Sequence, residues 1–192
     1  ADHVSYRDTY QQWVDEPTLD PELKTDLKKM ADDETTKEEA FAEHGKTLKG
    51  AAEAYLRYNM EIIDAICDVV PAVKPQCAFY ELLGWRGVKC LAKTIKYARK
   101  RGMYVITDGK RNDIGTTMEA YATAHLGKTD VFGEKTEAFG ADALTVNGYL
   151  GTDGIKPLLG VCEAEDKGIF VLVKTSNPSS GELQDQKMES GK

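Results

Sequence analysis

Residues 104–117 read Tyr-Val-Ile-Thr-Asp-Gly-Lys-Arg-Asn-Asp-Ile-Gly-Thr-Thr, an apolar run that ends in charged side chains. Asp108, Lys110 and Asp113 follow at the point where a buried strand would emerge into a loop, and a helix-start pattern comes directly behind them. Strands built only for stability rarely finish in this way, because an unpaired buried charge is costly. The stretch therefore predicts a site that holds opposite charges at fixed positions around one small substrate.

Alternating strand and helix patterns surround this stretch, as judged from the spacing of apolar residues. Strands are predicted over residues 72–74, 103–107, 143–146 and 168–173. Helices are predicted over residues 49–70, 87–101, 132–139 and 154–162, and a further helix runs from an Asp113 N-cap to His125. Pro71 is expected to end the first helix and Gly102 to be the C-cap of the second.

The predicted strands are continuous apolar runs, which favours an α/β fold with a parallel sheet covered by helices. Both a (β/α) barrel and a doubly wound sheet fit this pattern. No Gly-x-Gly-x-x-Gly and no Walker loop follows a strand, which weakens the nucleotide-fold alternative. We expect a polar, mostly helical segment over residues 1–50 with a helix start at Thr35, a βα-repeat portion with the site over 51–178, and a polar tail or loop over 179–192.

The composition is that of a globular chain with one domain and one core: 192 residues, 41% hydrophobic and 30% charged. The net charge of −7 argues against nucleic acid or an anionic membrane as a partner. The four cysteines form no Cys-x-x-Cys pair and lie among apolar residues, which predicts reduced core thiols, and no His/Cys cluster suggests zinc. With no signal peptide and no apolar run near eighteen residues, a cytoplasmic location is expected.

Polar or charged side chains follow every predicted strand. The strand ends carry Lys74, then Asp108 with Lys110, then Asn147, then Ser176 within Thr175-Ser-Asn. In a parallel α/β barrel these ends meet at one face, where active sites are built. Taken singly, each has a simpler explanation: a surface lysine, a helix cap, a structural ion pair or an ordinary turn. Their shared position favours a site.

Alternating lysines and carboxylates suit one kind of chemistry. A lysine between carboxylates keeps its proton, because nearby anions favour the charged form, and it can then deliver that proton to a carbanion. A carboxylate facing a substrate carboxylate disfavours that second negative charge and assists its departure. The set predicts decarboxylation followed by protonation, without metal or cofactor. A Schiff base is less suitable, since it needs a neutral amine.

Four motifs, in order, resemble the orotidine 5′-phosphate decarboxylase family over about residues 50–180, and most closely its longer bacterial subfamily. They are Lys74-Pro-Gln-Cys-Ala-Phe-Tyr-Glu, Asp108-Gly-Lys-Arg-Asn-Asp-Ile-Gly-Thr-Thr with Glu119-Ala-Tyr-Ala, Ala141-Asp-Ala-Leu-Thr-Val-Asn-Gly-Tyr-Leu-Gly, and Lys174-Thr-Ser-Asn-Pro. The resemblance implies a (β/α)₈ TIM barrel, usually a homodimer, that converts orotidine 5′-monophosphate to UMP and CO₂.

The resemblance also implies roles for individual residues. Lys110 would protonate C6 of the pyrimidine, Asp108 would face the substrate carboxylate, and Lys74 would bond the ribose and order the carboxylates. Asp113 would serve the neighbouring subunit's site, across the dimer interface. The expected substrate-binding residues near these four are Ile114, Thr117 and Ser176.

Two parts of the family pattern are missing from the sequence. The opening strand, whose aspartate binds the ribose, is not visible, and Leu19-Asp20 is too weak a match to take its role. The glycine-rich phosphate loop and its arginine are also absent, so the chain matches roughly strands two to five of eight. Four strands cannot close a barrel. The sequence therefore leaves open a fragment, one piece of a split protein, or a true short chain.

Two other functions stay open at this stage. One is a Mg²⁺-dependent sugar-phosphate decarboxylase or synthase of the same superfamily, which shares an Asp-x-Lys-x-x-Asp pattern. Lys74 and Asn147 at the strand ends disfavour it, because such enzymes carry an acidic metal ligand there. The other is a non-catalytic partial barrel that binds a ligand or needs a complementing chain.

Overall fold

The structure of the protein, a computed structural model, describes residues 35–187 and divides them into two compact units. The first unit comprises the described residues up to Pro71 together with Phe79–Met103, and the second comprises Ala72–Ala78 with the described residues from Tyr104 onward. The Leu19-Asp20 pair and most of the predicted segment 1–50 lie outside the described residues. The predicted division at residues 50 and 178 stays a prediction.

The first unit consists of helices. They are α1 (Thr35–His44), α2 (Leu48–Ile66) and α4 (Gly84–Lys100), and the short helix α3 (Cys77–Glu81) spans the sequence boundary between the units. The segment from Thr35, where a helix start was expected, is helical. Thr47 caps α2 by accepting a hydrogen bond from the backbone N–H of Gly50, and α2 ends at Ile66, five residues before Pro71.

Helix α4 differs in its bounds from the prediction. It begins three residues earlier than expected, and Arg101 rather than Gly102 is its C-cap residue. Gly102 follows with φ +81°, a left-handed conformation that glycine adopts without steric cost. The glycine therefore terminates the helix from the position after the cap.

The second unit is built on a parallel four-stranded sheet. Its strands are β1 (Ala72–Val73), β2 (Tyr104–Arg111), β5 (Ala143–Asn147) and β6 (Gly168–Leu172), in the order β1-β2-β5-β6. All four predicted strands are confirmed. Strand β2 is longer than expected, so Asp108 and Lys110 lie within the strand rather than beyond it, on a stretch where the register with β5 is irregular.

Residues 129–136 form an antiparallel hairpin, so the helix predicted over 132–139 is wrong. Strands β3 (Thr129–Val131) and β4 (Glu134–Thr136) are joined by Phe132 and Gly133, which both have positive φ. Two left-handed residues in a row make the tight turn that matches the twist of a hairpin. Asp130 fixes the turn by accepting a hydrogen bond from the Gly133 N–H at 2.9 Å.

Two longer helices cover the sheet of the second unit: α5 (Gly115–His125) and α6 (Thr152–Glu165). The core between helices and strands is formed by six buried residues: Met118, Ala122, Leu126, Leu144, Val146 and Leu158. The end of α5 at His125 is confirmed, but its N-cap is Ile114, so Asp113 is not the cap.

The second unit leaves apolar side chains exposed at its last strand. Strand β6 lies at one edge of the sheet, and Phe170, Val171 and the following Val173 are 52%, 41% and 85% exposed. The segment beyond, predicted as a loop, contains a 3₁₀ turn (Pro178–Ser180) and a one-turn helix α7 (Gly181–Gln184). Among the described residues, no helix is long and apolar enough to cross a membrane.

The cysteines are all free thiols, and only two of them are buried in the core. Cys77 and Cys90 are buried, and burial raises the pKa of the Cys90 thiol to about 11. Cys67 and Cys162 are only partly buried, which corrects the expectation of four core thiols.

Candidate active site

Asp108 is the centre of a charged cluster in the second unit. Its side chain is 5% exposed, and each of its two carboxylate oxygens meets a lysine. The Lys74 Nζ lies 2.6 Å from Oδ2, and the Lys110 Nζ lies 2.6 Å from Oδ1. Both lysine side chains are about half-exposed. The structure thus brings together three of the four predicted catalytic residues.

Two neutral side chains complete the shell around the Asp108 carboxylate. The Gln76 amide donates a hydrogen bond to Oδ2 at 3.0 Å, and the Thr145 hydroxyl donates to Oδ1 at 2.8 Å. Gln76 lies in the segment after β1 and Thr145 lies on β5, so one donor comes from each side of β2. The carboxylate therefore accepts four hydrogen bonds, which fix its position and favour its anionic form.

The backbone around Lys110 is unusual. Its φ is +47°, the left-handed region that a residue with a side chain rarely adopts. Its backbone N–H donates to the Thr145 hydroxyl at 3.0 Å instead of to a strand carbonyl. Backbone strain of this kind persists only where the surroundings hold it in place, and it clusters at functional sites.

The hydrogen bonds around Asp108 decide its protonation. Burial alone would raise its pKa, but the hydrogen bonds from Lys110, Lys74 and Thr145, together with the charge of Lys74, outweigh it and lower the pKa to about 2. Asp108 is therefore an anion throughout the physiological range. It keeps a negative charge in the site without any metal.

Because the folded pKa lies below the ordinary value, Asp108 stabilises the fold above about pH 4 and loses this effect as the pH falls through about 2. We expect Asp108→Asn to lower the free energy of unfolding at pH 7 by about 1–2 kcal/mol, since the half-exposed lysines are screened by solvent. The difference from wild type should shrink between pH 4 and pH 2. Urea denaturation across this pH range measures the difference in free energy of unfolding between the two proteins. A difference that does not change with pH would contradict the lowered pKa of Asp108.

Among the described residues, the remaining predicted site residues share no hydrogen bond or ion pair with this cluster. Asp113 is half-buried and accepts a hydrogen bond from the backbone N–H of Ile114 at 2.8 Å, and Lys110 is not among its partners in the described part of the chain. Ile114 is 54% exposed and Thr117, on the first turns of α5, is exposed. Ser176 is also exposed, beyond the end of β6. Their roles stay predictions.

The sequence pattern does not single out Gln76 or Thr145 as site residues. Gln76 could have been found, because it stands two residues after Lys74 at a strand end. Thr145 gives a weaker signal: it is one polar residue inside the apolar run Ala143–Asn147, where a buried β-branched side chain is ordinary. Its position next to the irregular part of β2 becomes visible only in the fold.

Within residues 35–187, no group of three or more His, Cys, Asp or Glu side chains is arranged to hold a metal ion. The Asp108 oxygens are already occupied by ammonium, amide and hydroxyl donors. Reaction without a metal stays a prediction.

Comparisons with known proteins agree on one family. The model of the orotidine 5′-phosphate decarboxylase / HUMPS family matches residues 21–192. The orotidine 5′-phosphate decarboxylase of Rhodopirellula baltica is 51% identical over 140 residues, which cover 73% of this chain and 45% of that protein. The enzyme of the same name from Caldicellulosiruptor saccharolyticus is 51% identical over 132 residues, covering 69% of this chain and 43% of the relative.

A solved structure extends the likeness to the fold. Leishmania donovani OMP decarboxylase superposes with a TM-score of 0.62 at 31% identity, over 77% of this chain and 52% of that one. The chain thus spans about half the length of the relatives it matches, and its α/β fold with four parallel strands is part of a (β/α)₈ TIM barrel. The chain belongs to the orotidine 5′-phosphate decarboxylase / HUMPS family.

Proposed function

We propose that the protein decarboxylates orotidine 5′-monophosphate to UMP and CO₂, in the biosynthesis of pyrimidine nucleotides. The observation that carries this proposal is the buried Asp108 anion with one lysine on each oxygen, at adjoining parallel strands. Relatives at 51% identity bear the name orotidine 5′-phosphate decarboxylase, which supports the same reaction here. A cytoplasmic location is consistent with this role and is part of the proposal.

Lys110, Asp108 and Lys74 have different roles in the proposed reaction. Lys110, whose ammonium is held by Asp108, donates a proton to the carbanion that CO₂ leaves at C6 of the pyrimidine. Asp108 faces the substrate carboxylate and disfavours its charge in the ground state. Lys74, directly after β1, orders the Asp108 carboxylate and reaches the ribose with its half-exposed side chain.

The remaining site residues act at the edges of the substrate. Ser176 hydrogen-bonds the pyrimidine, and Ile114 and Thr117 line the site. Asp113 contributes its carboxylate to the site of a second subunit in a homodimer.

The test is release of labelled CO₂ from carboxyl-labelled orotidine 5′-monophosphate. The chain is assayed alone and mixed with the separately expressed remainder of the Rhodopirellula baltica relative. We expect UMP formation in at least one of the two conditions, and its loss in the Lys110→Ala variant. No product in either condition, with both pieces folded, would contradict the proposal and favour a non-catalytic partial barrel.

Removal of divalent metals is expected to leave the activity unchanged. The donors around Asp108 are lysine, amide and hydroxyl groups, and none of these is the oxygen-rich set that Mg²⁺ requires. Turnover measured in 5 mM EDTA and in about 5 mM added Mg²⁺ should be equal within error. A requirement for Mg²⁺ would instead support a sugar-phosphate decarboxylase or synthase.

A further inference from the structure

We propose that Thr145 is a positioning residue for this reaction: its single hydroxyl fixes both the Asp108 carboxylate and the backbone of Lys110. This inference rests on the proposed decarboxylation and adds a residue to it. Thr145 is 8% exposed, so the hydroxyl acts through the two charged residues that it contacts.

The directions of the two hydrogen bonds follow from the chemistry of the groups. The backbone N–H of Lys110 can only donate, so the Thr145 oxygen accepts from it, at 3.0 Å. The carboxylate of Asp108 can only accept, so the Thr145 proton points to Oδ1, at 2.8 Å. The same Oδ1 receives the Lys110 ammonium at 2.6 Å. The Thr145 hydroxyl, the Asp108 carboxylate and Lys110 thus form a closed ring. In it Lys110 bonds the carboxylate through its ammonium and the hydroxyl through its backbone N–H.

The sheet register explains why a side chain is needed at this place. Thr107 pairs with Leu144 and Arg111 pairs with Val146, so Thr145 alone stands opposite the three residues from Asp108 to Lys110. The regular backbone hydrogen bonds between β2 and β5 cannot pair every N–H and C=O group of this bulged segment. The Thr145 hydroxyl accepts the hydrogen bond from the Lys110 N–H, which has no strand carbonyl opposite it. This bond stabilises Lys110 in its conformation at φ +47°.

Thr107 provides a matched contrast on β2 itself. It is also a threonine, fully buried, and its hydroxyl has no hydrogen-bond partner among the described residues. Replacing it with valine removes a hydroxyl from the same sheet and leaves the side-chain hydrogen bonds of Asp108 and the Lys110 N–H bond in place. Any effect peculiar to Thr145→Val therefore comes from its two hydrogen bonds and not from a change of volume.

The experiment compares Thr145→Val, Thr145→Ser and Thr107→Val in the assay condition in which wild type is active. We expect Thr145→Val to lower kcat by about 10²-fold with KM for the substrate nearly unchanged, because a displaced reacting group costs about this much. Thr145→Ser, which keeps the hydroxyl, should recover most of the activity, and Thr107→Val should equal wild type. The acid limb of the profile of kcat/KM against pH should move to higher pH in Thr145→Val.

That shift in the pH profile has a defined sign. Lys74 and Lys110 are the charged groups that face Asp108, and Gln76 and Thr145 are its neutral donors. Thr145→Val leaves both lysines in place and removes one donor that favours the anion. The pKa of Asp108 therefore rises, while Thr107→Val leaves the acid limb where wild type has it.

Two readouts that need no turnover separate this inference from the proposed function. Hydrogen exchange of the Lys110 amide should accelerate at least about tenfold in Thr145→Val and not in Thr107→Val, because the N–H loses its acceptor. A ¹³C titration of the Asp108 carboxyl should show its raised pKa directly. If wild type forms no UMP, the proposed function fails and these two measurements still decide the role of Thr145.

The result that would overturn the inference is equality of Thr145→Val and Thr107→Val in kcat, amide exchange and carboxyl titration. Should Thr145→Val not fold, Thr145→Ala removes the hydroxyl without placing a methyl group in its position, and the same comparisons apply. A loss of activity that Thr145→Ser does not recover would also count against it, since it would indicate packing and not hydrogen bonding.

Discussion

Lys110→Ala is expected to lower kcat for decarboxylation of orotidine 5′-monophosphate by at least about 10²-fold, the lower range for loss of a general acid. The Lys110 amine is the proton source in the proposed reaction and lies 2.6 Å from the Asp108 carboxylate. Alanine can neither donate a proton nor compensate the negative charge of the Asp108 carboxylate. Steady-state kinetics with carboxyl-labelled substrate measures the change.

Lys96→Ala is the control for this experiment, because Lys96 is an exposed lysine on α4, outside the charged cluster. It should retain the kinetics of wild type. Circular dichroism and size-exclusion profiles of Lys110→Ala should match wild type, since the side chain is half-exposed. Turnover of folded Lys110→Ala within a few-fold of wild type would refute its role as proton donor.

Asp108→Asn is expected to lower kcat by a comparable factor while KM for orotidine 5′-monophosphate stays the same or falls. In the proposed reaction the Asp108 anion opposes the substrate carboxylate in the ground state, and this opposition is relieved as CO₂ leaves. An amide removes the repulsion and frees Lys74 and Lys110 to bind the substrate carboxylate. A variant that binds substrate better and turns it over more slowly has lost ground-state strain.

Binding of UMP serves as the internal comparison, because the product has no carboxylate at C6. Calorimetry should show tighter binding of the substrate to Asp108→Asn than to wild type, and a much smaller change for UMP. If both ligands lose affinity equally, Asp108 would be a structural partner of the lysines alone. That outcome would remove it from the proposed reaction while leaving its effect on folding intact.

The charged part of the site could be predicted from sequence because its residues break a strong local pattern. Lys74, Asp108 and Lys110 follow apolar runs, and charge at the end of a buried strand has few explanations other than a site. The parallel order of the strands followed from the continuous apolar runs. The fold then brings these side chains together because strand ends of one sheet share an edge.

The hairpin was missed because two signals compete in its sequence. Phe132 and Phe139 are seven residues apart, a spacing typical of one helix face, whereas Phe132-Gly133 forms a turn with two positive φ angles. The role of Thr145 could not be predicted from the sequence for another reason. Nothing in Ala143–Asn147 reveals that a bulge stands opposite it, since register between distant strands is not a local property.

The left-handed backbone of Lys110 has a consequence for protein engineering. Glycine would occupy φ +47° without a steric penalty, but it would remove the ammonium that pairs with the buried Asp108 carboxylate. In Lys110→Gly, relief of backbone strain and loss of the ion pair therefore act on the melting temperature in opposite directions. The proposed chemistry depends on the amine, so a screen of substitutions at this position has to measure turnover as well as melting temperature.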